Sequence, residues 1–336
     1  MRTCFDPKSQ LTTPFAVLCA FILPTVLPAQ AFDCKLAATP SEKAICSNPA
    51  VLAADEKLNK IFGELRTSLN KAQSSGLLTS QKRWVKDRDS CAEAKDDTVP
   101  QCIKDKTDAR LKFLSATPQS GSGTPGTLVP YFRIENGGKG KTKVDIQIYK
   151  FANPSTTAQQ LFNSEVDKLI IDVPQPDAST ASSEYFEYSV SMSLDYVSPQ
   201  LISAQTGTET FLGGPHPNIQ SMTINIDVAK GKLAQFKDFL DGKAVKDVSD
   251  NCLKQILQQK KENDGSQTDT TAAAVNELAG KITKVTSNLE LWTFDASKAS
   301  IQYDRYVVGA YSEGAFICEI PYSQLRPLVK PGFPLP

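Results

Sequence analysis

The sequence has 336 residues, with 37 basic and 37 acidic side chains, eight cysteines and one histidine. That length accommodates two domains of ordinary size, each with a core of its own. A formal charge of zero argues against a general nucleic-acid binder, which needs a basic surplus to displace counterions from phosphates.

Residues 1–31 read as a secretory signal peptide. Arg2 and Lys8 precede an apolar stretch from Pro14 to Pro28, and Ala29-Gln30-Ala31 supplies small residues for cleavage after Ala31. The stretch is interrupted by Pro24 and is shorter than the roughly 20 residues a spanning helix needs, so no stable membrane insertion is expected after cleavage. Removal of the leader takes Cys4 and Cys19 with it. Cys34, Cys46, Cys91, Cys102, Cys252 and Cys318 remain in an oxidising compartment, where thiols pair. Among the possible connectivities, spacing suggests Cys34 with Cys46, Cys91 with Cys102, and Cys252 with Cys318.

Residues 32–115 have helical periodicity. Leu58, Ile61, Phe62, Leu65 and Leu69 form one apolar stripe on a helix of about 20 residues beginning after Pro49. Trp84, Arg88 and Cys91 share a face of a second helix, with Ser80 as its cap and Trp84 in the core. Ile103, Thr107, Leu111 and Leu114 line a third helix that starts near Pro100. Three helices and two short-range disulfides predict a small stapled bundle. The stretch SATPQSGSGTPGT then holds only small, polar and turn-forming types, which predicts a flexible linker over 116–127.

Residues 128–336 change period. From Phe186 to Tyr196 every even position is apolar and the odd ones are polar, as in a strand with one buried face. Val144, Ile146 and Ile148 repeat the pattern, as do Met222, Ile224, Ile226 and Val228, with AKGK at 229–232 as a hairpin turn. Helices are predicted at 155–171, 243–260 and 271–284, with a polar loop over 262–270 between the last two. Strands at 289–295, 300–308 and 315–320 complete an α+β domain with a mainly antiparallel sheet. The whole chain is therefore α+β. The helical part carries 15 basic and 12 acidic side chains, and residues 116–336 carry 20 and 24, so the acidic excess lies in the larger domain.

The lone His216 sits in FLGGPHPNIQ, between two glycines and two prolines. No GxSxG elbow accompanies it and no cysteine is free to act as a thiolate, so a hydrolase triad is not expected. A single histidine without a CxxC pair also argues against zinc. ENGGKGK at 135–141 lacks Walker spacing and reads as a hairpin loop. No catalytic residue, metal or cofactor is expected. Gly213, Gly214, His216 and Asn218 are left as a candidate partner-binding loop on a tight turn.

Two resemblances add to this reading. FDCKLAATPSEKAICSNPAVLAADEKLNKIFGEL, QKRWVKDRDSCAEA and QCIKDKTDARLKFL resemble the N-terminal domain of LprI-type proteins over about 32–115, with Cys34, Cys46, Trp84, Arg88, Cys91 and Cys102 in order. That resemblance implies a small secreted, cysteine-paired helical domain associated with lysozyme inhibition, and it supports the pairing suggested by spacing. GGPHPNIQSMTINIDVAKGKLAQFKDFL and YVVGAYSEGAFICEIPYSQLRPLV are similar to the C-terminal extracellular domain of RsiV-type anti-sigma factors and some peptidoglycan deacetylases. In the RsiV branch that domain is a lysozyme receptor. Pro215 and the two added cysteines, Cys252 and Cys318, depart from the family pattern. Neither anti-sigma nor deacetylase activity carries over, because the sigma-binding segment and the catalytic deacetylase domain are missing. Together these imply a periplasmic or secreted, non-enzymatic protein that captures lysozyme-type muramidases. The alternative is an envelope sensor that recognises peptidoglycan or another partner.

Overall fold

The computed structural model describes residues 33–94, 97–123, 126–138, 140–175, 185–264 and 271–336. The expected leader at 1–31 and most of the polar loop expected at 262–270 lie outside them.

The first region is a bundle of α1 (Pro40–Ser47), α2 (Pro49–Ser68), α3 (Lys71–Asp89) and α4 (Val99–Leu114). Prolines sit in the first turns of α1, α2 and α4, where the missing N–H costs nothing. The sequence carried a signal for α1 that the three-helix reading passed over. In Thr39-Pro40-Ser41-Glu42 the threonine hydroxyl accepts the Glu42 N–H at 3.2 Å, and the Glu42 carboxylate accepts the Thr39 N–H at 2.8 Å. This is a capping box. Ser80 does not cap the second helix. Asn70 does, accepting the Gln73 N–H at 3.0 Å, so that α3 starts ten residues earlier and Ser80 is buried mid-helix. The bridges Cys34–Cys46 and Cys91–Cys102 fasten this region. Trp84 packs beside Leu58, Leu77 and Leu114, donates its indole N–H to Lys106 O at 3.3 Å, and lies 5.0 Å from the Arg88 guanidinium.

The second region holds two sheets. The larger runs in the order β1 (Leu128–Glu135), β2 (Lys143–Phe151), β3 (Glu187–Val197), β4 (Leu201–Phe211), β5 (Asn218–Asp227), β6 (Lys232–Leu233). Only β2 and β3 pair in parallel, and α5 (Thr157–Ile171) makes that crossover while burying Phe162 and Val166 on the sheet. The alternation in β3 holds through Leu194 and then breaks at a bulge, where the Asp195 carboxylate accepts the Gln205 N–H at 3.1 Å. Tyr196 consequently packs against the second core rather than with the even-numbered residues. The smaller sheet, β7 (Trp292–Phe294), β8 (Lys298–Tyr303) and β9 (Phe316–Pro321), is antiparallel and packs with α6 (Gly242–Asp264) and α7 (Ala272–Thr286). Cys252 and Cys318 form a bridge inside this core, both fully buried. Ser203 accepts the Phe294 N–H at 3.1 Å, and Asn225 donates to Leu289 O and Trp292 O, so the two sheets are joined by polar as well as apolar contacts.

The helical region is docked on the larger sheet. Gln73 on α3 accepts the Phe132 N–H at 2.7 Å and donates to Phe132 O at 2.8 Å, so its amide occupies the outer edge of β1 as a strand would. A Cβ on Gly76 would stand 2.8 Å from the Phe132 Cβ, so only glycine lets α3 come this close. Phe132 in turn completes the core formed by Leu58, Leu77 and Leu114. Beside it, buried Arg110 donates to Gln147 Oε1 at 3.0 Å and to Ser80 Oγ at 2.7 Å, while Arg83 and Asp145 pair at 2.5 Å. Burial lowers the Arg110 guanidinium to about 10, with Asp145 opposing, and it remains charged at neutral pH. The expectation of a flexible tether fails for the first half of 116–127. Ala116 is buried, Gln119 N donates to Leu194 O at 2.7 Å, and Ser120 O accepts the Val197 N–H at 3.1 Å.

Candidate partner-binding surface

The turn that carries His216 lies between β4 and β5. Gly213 and Gly214 have φ of +92° and +114°, a region that side chains with a Cβ seldom enter. A Cβ at Gly214 would meet nothing within 4 Å, so backbone conformation rather than crowding selects glycine there. Pro215 and Pro217 then hold the imidazole on a stiff segment, half-buried.

The ring is fully engaged. Nδ1 lies 3.1 Å from Pro217 O, which can only accept, so Nδ1 carries a proton. In the neutral ring Nε2 therefore accepts the Tyr306 hydroxyl, 2.8 Å away. The imidazole face stacks on Tyr311 at 3.7 Å between centroids and 16° between planes, and the Arg305 guanidinium lies 4.8 Å from the Tyr311 ring. With both nitrogens bonded and one face stacked, His216 is tied into an aromatic cluster with Tyr306 and Tyr311.

Tyr306 and Tyr311 come from the segment between β8 and β9, and that segment is braced by β5 and by α6. The Asp304 carboxylate accepts the Ser221 N–H at 2.7 Å, which ties it to β5. Glu313 receives the Ala310 N–H at 2.5 Å on one oxygen and Lys260 of α6 at 2.5 Å on the other. Burial pushes the Glu313 carboxyl up, but the Lys260 and Ala310 bonds outweigh it and leave the group below its ordinary range. Tyr306 itself has φ of +67° and is 62% exposed. An L-residue held in that region costs about 1–3 kcal/mol, which the surrounding bonds must offset. The result is an exposed ring fixed in one orientation.

Gly213 and Gly214 shape the turn, His216 joins the cluster, and exposed Asn218 opens β5 opposite Thr210. Sequence reasoning missed Arg305, Tyr306 and Tyr311. YDRYVVGAYSEG does concentrate tyrosines in a loop-forming stretch, but nothing in the sequence brings that stretch to a turn 90 residues earlier. Among the described residues, no group of histidine, cysteine, aspartate and glutamate side chains is arranged to hold a metal ion, and no helix is long and apolar enough to cross a membrane.

Residues 34–114 match the family model for lysozyme inhibitor LprI. The matched segment takes in all four helices and both short-range disulfides. Residues 237–323 match a second model, described as a protein of unknown function, DUF3298. The RsiV-type resemblance describes that region only loosely, and the matched segment is shorter than the 128–330 it suggested. It includes Tyr306 and Tyr311 but not the His216 turn. The chain also aligns with two solved DUF3298-family structures. One, from Bacteroides fragilis NCTC 9343, is 12% identical, covers 61% of this chain and 94% of its own, and has a TM-score of 0.46. The other, from Pseudomonas aeruginosa PAO1, is 20% identical, covers 64% and 98%, and has a TM-score of 0.39. No curated protein matches the chain.

Proposed function

We propose that the protein is a secreted or periplasmic, non-enzymatic inhibitor of lysozyme-type muramidases, exported by the leader at 1–31. The observation that carries this is the LprI match over 34–114, together with the helical, disulfide-stapled region it describes. Three disulfides fit an oxidising compartment, in which extracellular lysozymes act. The mechanism is occlusion: a rigid surface covers the saccharide cleft, and the acidic excess of residues 116–336 speeds encounter with a basic enzyme. Because α3 and α4 are docked on the sheet, both regions meet a target in one fixed relation and linker-mediated avidity is not needed.

Gly213, Gly214, His216 and Asn218 form the contact loop in this account, with Tyr306 as the exposed ring beside it. Calorimetric titration with c-type, g-type and i-type lysozymes tests it. Binding to at least one class is expected, weakened by His216→Ala together with Asn218→Ala. Unchanged affinity in that double variant would remove the loop from the account and leave the LprI domain as the binding element.

The exposed Tyr306 and the stacked pair Tyr311 and His216 favour one second reading, recognition of peptidoglycan, because sugar rings pack on aromatic faces. Titration with muropeptides in place of lysozyme separates the two.

A further inference from the structure

Arginines that are buried or half-buried in a folded chain normally have acceptors for their hydrogens. Among the described residues, Arg83, Arg88 and Arg133 each pair with a carboxylate, and Arg110 donates to two side chains. Arg305 is different. It is half-buried, and neither a carboxylate nor any other acceptor among the described residues takes its hydrogens. Its Nε is buried without a partner. The two terminal nitrogens are equally unbonded but are not among the buried unpartnered atoms, so they reach solvent.

The acids nearby are already engaged. Asp304 accepts the Ser221 N–H, and Glu313 is bonded to Lys260 and to the Ala310 N–H. What holds the guanidinium in place is the Tyr311 ring, 4.8 Å away, which is itself stacked on His216. A planar cation is thus presented on a fixed aromatic base, partly out of water and without a counter-ion. The two accessible nitrogens can each donate one hydrogen to the same carboxylate, the bidentate arrangement that a guanidinium favours over any other side chain. Because the stacked ring already restricts the side chain, little freedom is lost when an acceptor arrives.

We infer that Arg305 is a carboxylate-binding residue that takes a catalytic carboxylate of the target muramidase. This rests on the muramidase reading and names the group that recognises the chemistry of the cleft. Glycoside hydrolysis needs two carboxylates about 5 to 10 Å apart in that cleft, so a surface that occludes it has to offer a cation there or leave a desolvated negative charge unpaired. Tyr306, the next residue in the chain, is exposed, and its ring centroid lies 5.6 Å from that of Tyr311. The cation and the exposed ring therefore enter the cleft together. The acidic excess of residues 116–336 draws in a basic enzyme at long range, and Arg305 matches the acidic centre of that enzyme at contact.

The test is a double-mutant cycle read by calorimetry, with residues 32–336 and whichever of the c, g and i lysozyme classes binds most tightly. Arg305→Gln should weaken binding about tenfold, the effect of losing hydrogen bonds to a charged group. Arg305→Lys keeps the charge without the fork and should recover only part of that loss. On the lysozyme side, each catalytic carboxylate is changed to its amide in turn. One of the two changes should weaken binding by the native chain by a similar factor and should have little further effect against Arg305→Gln, because the coupled pair is then already broken. The amide variants probe the contact with the native chain, whatever the stability of Arg305→Gln. Arg305→Gln binding as tightly as the native chain, or losses that simply add, would overturn the assignment and leave the inhibitor reading in place. Muropeptide binding that depends on Arg305 while lysozyme binding does not would overturn it in favour of a peptidoglycan carboxylate. Failure of the native chain to bind any of the three lysozymes would overturn the inhibitor reading and this assignment with it.

Discussion

The two halves of the molecule hold themselves together in different ways. The second half has two large apolar cores and one disulfide that closes a 66-residue separation at the centre of one of them. The helical region that matches LprI has two small clusters, bridges that span only 12 and 11 residues, and a core that is completed by Phe132 from the neighbouring strand. A short helical region thus gains stability by docking as well as by stapling. The buried Arg110 network and the Gln73 amide make that docking specific in register.

The sharpest way to probe this contrast is to remove bridges one at a time. In the chain-entropy picture, replacing Cys252 and Cys318 by alanine should cost about 4 kcal/mol, against about 3 kcal/mol for either short bridge. Chemical denaturation measures both, and equal losses would show that loop length does not govern the difference. Arg110→Ala comes next. It removes the donor to Gln147 Oε1 and Ser80 Oγ at the interface while Asp145 keeps Arg83, and loss of hydrogen bonds from a buried charged group costs about 1.5–3 kcal/mol. If the interface carries the stability of the helical region, hydrogen exchange in α2 and α3 should rise together in this variant.

Gly76→Ala is smaller and has a sign that discriminates. Helix propensity alone would make it stabilising by about 1 kcal/mol. The contact at 2.8 Å with Phe132 requires α3 to retreat, so the account expects a net loss of about 1 to 2 kcal/mol in Tm-derived stability. A gain would mean that α3 does not approach β1 this closely. The smallest effect is that of acid on the loop bearing Tyr306. Glu313 has a lowered folded value relative to 4.5, so its contribution is complete above that pH and is lost as pH falls through the folded value. Exchange of amides at 304–315 should accelerate on the acid side of 4.5, and Glu313→Gln should remove that dependence.

Much of this architecture was legible where local physics decides it. The stripe of Leu58, Ile61, Phe62 and Leu65, the alternation from Tyr188 to Leu194, and the AKGK turn all appear in the structure. The pairing of near-neighbour cysteines followed from spacing. β4 escaped notice because both of its faces are buried over Leu201–Ala204, which erases the alternation that marks a half-exposed strand. The docking of α3 on β1 was hidden because it depends on one glycine and one glutamine, and neither names the strand 56 to 59 residues later that they meet. The same holds for the aromatic cluster. Gly213, Gly214 and the prolines announced a stiff turn, but the stacking of Tyr311 on His216 is a product of tertiary packing with no counterpart in the local sequence.

The most direct test of the central claim is a turbidity assay of cell-wall lysis by lysozymes of the c, g and i classes, with residues 32–336 added at increasing ratio. The account predicts that lysis by at least one class falls to zero near equimolar inhibitor. Undiminished lysis by all three at a large excess would contradict it.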